Sequence, residues 1–204
     1  MQAELQFPNR WGGRRKGAGR PRKKGKRDVE HRTRPPVAHR FPVHVSIRLE
    51  RGVRNLRKLP CLRVIEKAFN GARGRFGLRL NHFSVQSNHL HLIVETNDRH
   101  ALSRGIKGLN VRIAKGLNRL MGRRGKVIGD RYHAHILKTP AEVRNAVHYV
   151  LGNLRKHTGR AGVDAYSSEA RPDLVVPPRT WLLGRASARG AGGSPAAAPP
   201  RRSP

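Results

Sequence analysis

The chain of 204 residues is poor in acidic residues, in cysteine and in aromatic residues. Its 12 Asp and Glu stand against 44 Lys and Arg, which gives a formal charge of +32. A charge of that sign concentrates polyanions, so nucleic acid is the first partner to consider. The single cysteine, Cys61, excludes an internal disulfide and a thiolate zinc cluster. A metal would therefore need His, Asn, Asp or Glu as ligands.

Long hydrophobic runs are also missing. No stretch of about 18 apolar residues is present, and the first residues lack the hydrophobic region of a signal peptide. These absences predict a protein without a membrane partner. Together with the positive charge, they predict a cytoplasmic, nucleoid-associated location.

Composition divides the chain into four parts. Residues 10–40 carry thirteen Lys or Arg with frequent Gly and Pro, which predicts a disordered basic arm over residues 1–40. Residues 184–204 consist mainly of Ala, Gly, Pro and Arg, and they predict a disordered tail. A folded domain is expected over residues 41–160, with a C-terminal extension over residues 161–183. Residues 41–183 still hold 27 basic against 9 acidic residues, so the folded part is itself basic.

Apolar periodicity predicts the elements of this domain. "FPVHVSIRLE" alternates, with its valines, isoleucine and leucine on one face and His44, Ser46 and Arg48 on the other. A helix within residues 62–76 follows, and then a hairpin of two strands over about residues 78–86 and 89–95. Residues 99–121 form a long amphipathic helix that Asn97 or Asp98 caps. A fourth strand lies within residues 125–138, with a bulge at Gly129.

The predicted order βαββαβ is that of the ferredoxin-like split motif. We expect an α+β fold in which helices cover one face of an antiparallel sheet and leave the other face open. A last helix follows, with Thr139 as N-cap, Pro140 as the first helical residue and Glu142 completing a capping box.

Two histidines stand on the predicted third strand, in "NHLHLIVE". Residues of a strand alternate between faces, so His89 and His91 share one face while the leucines between and after them face the helices. Two imidazoles at this spacing can chelate one cation, and a phosphodiester would bring further oxygen ligands. For an isolated His-x-His motif, two solvated histidines are the commoner case.

The last helix carries a tyrosine outside the centre of its apolar stripe. At about 100° per residue, Tyr149 and Asn153 fall on one flank of this helix. Tyr149 would be a nucleophile, and Asn153 an additional metal ligand, if the helix crossed the open face of the sheet. From its position alone, a Tyr at the edge of the core with its hydroxyl in water fits equally well.

Together these stretches resemble a known family. "NHLHLIVE" resembles the His-hydrophobe-His strand of HUH enzymes, and "YVLGN" resembles the tyrosine helix of single-tyrosine HUH transposases. With "GDRYHAHILKTPAEVRNAVHYVLGNLRKH", the similarity is greatest to the REP-associated tyrosine transposases and their insertion-sequence relatives. The resemblance covers about residues 41–158.

The resemblance implies a metal-dependent DNA transposase that acts on single-stranded or hairpin DNA in recombination. Tyr149 would cleave a phosphodiester and form a 5′-phosphotyrosine. His89, His91 and Asn153 would hold Mg²⁺ or Mn²⁺. Several relatives have Gln where this chain has Asn153, and the role of His148, beside the tyrosine, is either proton transfer or phosphate contact. Relatives work as monomers or as homodimers, and the sequence does not decide between them.

Basic residues predict where DNA phosphates bind. They lie on the polar side of the long helix and in the Gly-rich turn after it. The residues are Arg104, Lys107, Arg112, Lys115, Arg119, Arg123, Arg124 and Lys126.

Other functions remain open. The main alternative is a noncatalytic, domesticated nucleic-acid binder on the same fold, although aromatics at 5% are few for a sheet that stacks RNA bases. The small size and the lack of a helicase-like region disfavour a relaxase or a replication initiator. A hydrolytic nuclease would need Glu95 to activate water, since it shares the strand face of His89 and His91.

Overall fold

The computed structural model describes residues 33–152 and 162–190, with no side chains described for residues 187–190. Its elements are, in chain order, β1 (Val43–Arg48), α1 (Leu59–Ala72), β2 (Arg79–Val85), β3 (His89–Glu95), α2 (Arg99–Leu120), β4 (His133–Ile136), α3 (Pro140–Leu151), a short 3-10 helix (Pro172–Leu174) and α4 (Trp181–Gly190).

The strands form one sheet in the order β2-β3-β1-β4, and every neighbouring pair is antiparallel. This confirms the predicted mixture of helices with an antiparallel sheet. In the register of β1 and β3, Arg48 lies opposite His89, Ser46 opposite His91 and His44 opposite Ile93. Cross-strand partners point to the same side of a sheet, so each of these pairs of β1 and β3 residues shares one face.

One face of the sheet, here called the core face, packs against α1 and α2. Its residues on β1 and β3 are aliphatic and fully buried: Val43, Val45, Ile47, Leu90, Leu92 and Val94. Burial of each such side chain stabilises the fold by roughly 1.5–3 kcal/mol. Close packing also explains Gly116 of α2, since a Cβ there would lie 2.4 Å from Val64 Cγ1 of α1.

The opposite face, here called the histidine face, contains His44, Ser46, His89 and His91. It is not open, because α3 and α4 cover part of it. Val143, Ala146 and Val150 of α3 form a small second core with Ile93 of β3 and with two leucines of α4. The face that the predicted split motif leaves free is therefore partly covered by the last two helices.

The helix starts follow the capping residues in the sequence. The Thr139 side chain accepts a hydrogen bond from the Glu142 backbone N–H, and the Glu142 carboxylate accepts one from the Thr139 N–H. This confirms the predicted capping box. At α2 the Asp98 carboxylate accepts from two backbone N–H groups, so Asp98 rather than Asn97 is the cap. These N–H bonds lower the pKa of Asp98.

The fourth strand is shorter than predicted. Only His133–Ile136 pairs with β1, while Ile128 forms a single bridge to Leu49 and the Gly129 N–H donates to the Arg48 carbonyl. The chain leaves the sheet between Gly129 and His133, at the place where a bulge was expected. In the described part of the chain, no helix is long and apolar enough to cross a membrane.

The folded unit extends beyond both composition boundaries. It begins at Arg34 rather than at residue 41, because Val37 is buried in the core and the Arg34 guanidinium stacks on Tyr132. At the other end, the boundary expected at Gly184 falls inside α4. Residues 1–32 of the predicted arm and residues 191–204 of the predicted tail lie outside the described residues.

The C-terminal extension covers the free edge of β2. The Val85 N–H donates to the Tyr166 carbonyl at 2.8 Å, and the Ser168 N–H donates to the Phe83 carbonyl at 2.9 Å. Asp164, which is 1% exposed, holds this segment through a bidentate ion pair with Arg57. The pairing satisfies backbone groups that an edge strand would otherwise expose.

Candidate active site

Two histidines of β3 lie side by side on the histidine face. The Nε2 atoms of His89 and His91 are 3.0 Å apart, and their rings meet at 87° with centroids 4.7 Å apart. The Asn88 side-chain oxygen lies 2.8 Å from Nδ1 of His89. This contact leaves Nε2 as the His89 nitrogen that faces His91. The two Nε2 atoms therefore face each other at hydrogen-bond distance.

β1 supplies a second layer beneath His91, which is only 6% exposed. Nδ1 of His91 lies 3.0 Å from Ser46 Oγ and 3.2 Å from His44 Nε2. Burial, followed by the charges of His133 and His135, lowers the pKa of His44 from 6.5 to about 4. His44 is therefore neutral at pH 7, so either it or Ser46 can accept a hydrogen bond from an Nδ1–H of His91.

The helix α3 brings Tyr149 to these histidines. Its ring centroid lies 5.1 Å from that of His91, at 81°, and 6.0 Å from that of His44. The neighbouring Val150 is fully buried and anchors the helix, while Tyr149 stays 39% exposed. Tyr149 is thus both next to the histidines and accessible to a substrate. His148 is exposed on the same helix.

The separation of the two Nε2 atoms suits two neighbouring ligands of one divalent cation. Neighbouring ligands of an octahedron with bonds of ~2.1 Å lie about 3.0 Å apart, which matches the separation of the two Nε2 atoms. Among residues 33–152 and 162–190, no group of three or more His, Cys, Asp or Glu is arranged around a common metal position. Asn153, the expected third protein ligand, lies outside the described residues. Further ligands would therefore come from Asn153, substrate or water.

Glu95 shares the histidine face but has a structural role. Its carboxylate accepts hydrogen bonds from the backbone N–H groups of Arg179 at 2.9 Å and Thr180 at 2.7 Å. The Asn81 amide donates to it as well, and Arg79 Nε lies 3.5 Å away. Glu95 is 2% exposed and holds the start of α4 against the sheet. The geometry does not favour Glu95 as a water activator.

Sequence reasoning missed the second layer and the histidines of β4. His133 lies opposite Ser46 and His135 lies opposite His44, so both edge histidines belong to the histidine face. The alternation of β1 already put His44 and Ser46 on one polar face, and "HAHI" repeats the His-x-His pattern. The missing information was which strands are neighbours.

The predicted phosphate-binding residues fall into two groups. The apolar side of α2 packs on the core face, so the cations of α2 lie on the far side of the sheet from Tyr149. These are Arg104, Lys107, Arg112, Lys115 and Arg119. The turn with Arg123, Arg124 and Lys126 lies nearer to the histidines, because the Glu50 N–H donates to the Val127 carbonyl and Glu50 pairs with Lys126 at 2.8 Å. Glu50 is two residues beyond Arg48, the cross-strand partner of His89.

Comparison with known proteins identifies the fold. No protein-family model matches the chain, and no curated protein sequence is significantly similar to it. A solved structure of a REP-associated tyrosine transposase bound to a REP hairpin is similar, with a TM-score of 0.57 and 16% sequence identity. The match covers 73% of this chain and 89% of that chain. At this identity, the likeness establishes the fold alone.

Proposed function

We propose that the protein is a single-tyrosine transposase that cleaves and rejoins single-stranded DNA next to hairpin or repeat ends. One observation carries the proposal: the ring of Tyr149 lies 5.1 Å from that of His91, whose Nε2 lies 3.0 Å from that of His89. The ferredoxin-like assignment is supported by the strand order β2-β3-β1-β4 and by the similarity to a REP-associated tyrosine transposase.

The chemistry is a transesterification. The Tyr149 oxygen attacks the scissile phosphorus, a bond from tyrosine to the 5′-phosphate forms, and the bond to the 3′-oxygen breaks. The phenol proton ends on the released 3′-hydroxyl. The reverse step, with a 3′-hydroxyl as attacking group, rejoins the strand without ATP because the phosphotyrosine conserves the energy of the bond.

His89 and His91 would hold Mg²⁺ or Mn²⁺, with Asn153 as a further ligand. The cation would polarise the scissile phosphate and offset the negative charge that builds on its oxygens. Nitrogen ligands favour Mn²⁺ over the harder Mg²⁺. Ser46 and His44 would fix the His91 ring, because a ligating histidine usually donates its other N–H to a neighbouring acceptor.

The tyrosine and both histidines come from one chain, so the proposed site needs no second copy. The turn with Arg123, Arg124 and Lys126 would contact phosphates beside the histidines, while the cations of α2 would contact a more distant part of a longer DNA. Such a protein would act in the cytoplasm at the nucleoid.

The test is a covalent-adduct assay. Wild type is incubated with Mn²⁺ and a labelled pool of single-stranded hairpin DNAs, and the products are separated on a denaturing gel. We expect a protein-linked DNA band that requires metal and disappears in Tyr149→Phe, while Tyr166→Phe keeps it. Tight binding without a covalent band on any substrate would instead identify a noncatalytic nucleic-acid binder.

A further inference from the structure

A large pocket lies at the opposite end of the histidine face from the His89 turn. It has a volume of about 810 Å³, and its walls come from residues 39–41, the start of β2, the end of β3, the start of α3 and residues 179–182. Ligand pockets in proteins span about 300–1,000 Å³, so this pocket is large enough for a nucleotide. Glu95 stabilises its C-terminal wall through the N–H groups of Arg179 and Thr180.

The lining combines an exposed aromatic ring with cations. Trp181 lines the pocket and is 42% exposed, and the guanidinium of Arg185, which is outside the lining, lies 5.1 Å from its ring centroid. Exposed side chains of Arg40, Lys138 and Arg179 also line the pocket. The Glu95 carboxylate, which also lines the pocket, faces Arg79 Nε at 3.5 Å, and Arg40, Lys138 and Arg179 add further positive charge.

Position links the pocket to Tyr149. Pro140, the first residue of α3, lines the pocket, and Tyr149 lies nine residues later on the same helix. At a rise of 1.5 Å per residue, the two are about 13 Å apart along the helix axis. Nine residues also turn the helix by about 180°, so a strand whose phosphodiester lies at Tyr149 would run along and around α3 and reach the pocket after several nucleotides.

We propose that this pocket binds an unpaired nucleotide of the same DNA strand, with its base stacked on Trp181 and its phosphates at Arg40, Lys138 and Arg179. Every base has a flat π-face, so an exposed indole beside cations suits single-stranded nucleic acid of any sequence. The proposal rests on the proposed function for the identity of the ligand. It adds a binding site that holds the strand at a set distance from the nucleophile.

The fluorescence of Trp181 can report on binding in the pocket. The protein has two tryptophans, Trp11 and Trp181, so the full-length variant Trp11→Phe reports on Trp181 alone. Single-stranded oligodeoxythymidine is titrated into this variant in EDTA, where the metal-dependent cleavage is off, and fluorescence and anisotropy are followed together. We expect quenching that parallels binding, and its loss when an abasic nucleotide occupies one position of the strand.

The energetic test compares two exposed aromatic residues. Trp181→Ala should weaken binding of the single strand on the order of tenfold, the loss expected for one base stack. Phe76→Ala is the control, because Phe76 is 48% exposed and contacts α2 on the other side of the sheet. Equal affinities of wild type and Trp181→Ala would overturn the proposal, as would quenching by poly-glutamate but not by DNA.

The covalent-adduct assay separates this inference from the proposed function. A metal-dependent adduct in Trp11→Phe without any quenching would refute the pocket and leave the transposase chemistry standing. Quenching with an abasic-sensitive position, but without an adduct on any substrate, would support the pocket and refute the chemistry.

Discussion

The core face and the histidine face use alternate residues of the same strands. On β3 the leucines and valine that face α1 and α2 are fully buried, while His89, His91 and Glu95 face the other way. A shift of β3 by one residue would exchange the two sets. The burial of the core face therefore sets the register that holds the histidines together. Because the two faces use different residues, substitutions can change stability and the candidate chemistry separately.

The largest effect on stability should come from the core face. Ile106→Ala removes a fully buried side chain of α2 and should lower the free energy of unfolding by about 2–5 kcal/mol. Urea denaturation measures this, and Val111→Ala, exposed on the same helix, should change it by less than about 0.5 kcal/mol. Adduct formation by the folded fraction of Ile106→Ala should stay at the wild-type level. A loss there as complete as in Tyr149→Phe would show that the two faces are not separable.

The second-largest effect should be on metal affinity, and it should come from His44 and Ser46, the layer beneath His91. His44→Ala and Ser46→Ala each remove one neighbour of His91 Nδ1, and each should weaken Mn²⁺ affinity by about tenfold. Titration followed by electron paramagnetic resonance of free Mn²⁺ measures this. His133→Ala is the matched control on the edge strand. Unchanged affinity in both variants would mean that His91 needs no second layer.

The buried state of His44 predicts a pH dependence of stability. Its pKa is lowered to about 4 in the fold, below the ordinary 6.5, so the unfolded chain takes up the proton first. The contribution of His44 is thus complete above about pH 6.5 and is lost as the pH falls towards 4. Urea midpoints across this range should fall less steeply for His44→Gln than for wild type. If the urea midpoints of wild type and His44→Gln fell equally steeply with pH, the pKa of His44 would not be lowered in the fold.

The smallest expected effect is a difference between the two groups of cations in the salt dependence of DNA binding. It should be seen only with short DNA. Replacing Arg123, Arg124 and Lys126 by Ala should reduce the salt dependence of binding to a short single strand, by roughly 0.7 in logarithmic slope per lost phosphate contact. Replacing Lys107, Lys115 and Arg119 should leave the slope for that short strand unchanged. Equal reductions of the slope in the two triple variants would show that the cations on the two sides of the sheet do not differ in DNA binding.

Local patterns predicted several elements well. The bounds of β3, the Thr139 capping box and the long α2 helix all follow from residues within a few positions of one another. The edge pairing of Tyr166 with Val85 and the docking of α4 could not be predicted in this way. Both join segments about 80 residues apart. Residues 184–190 look like a tail in composition, although Leu182 and Leu183 just before them pack in the second core and anchor the helix.

By itself, the sequence determined which residues share a strand face or a helix side, since the periods of 2.0 and 3.6 residues are properties of the backbone. His89 beside His91 and Tyr149 outside the apolar stripe of α3 are of this kind. Only the tertiary structure decided that Tyr149 lies against His91, that Ser46 and His44 support that ring, and that the α2 cations face away. These relations depend on strand order and on which face α3 covers, and long-range packing sets both.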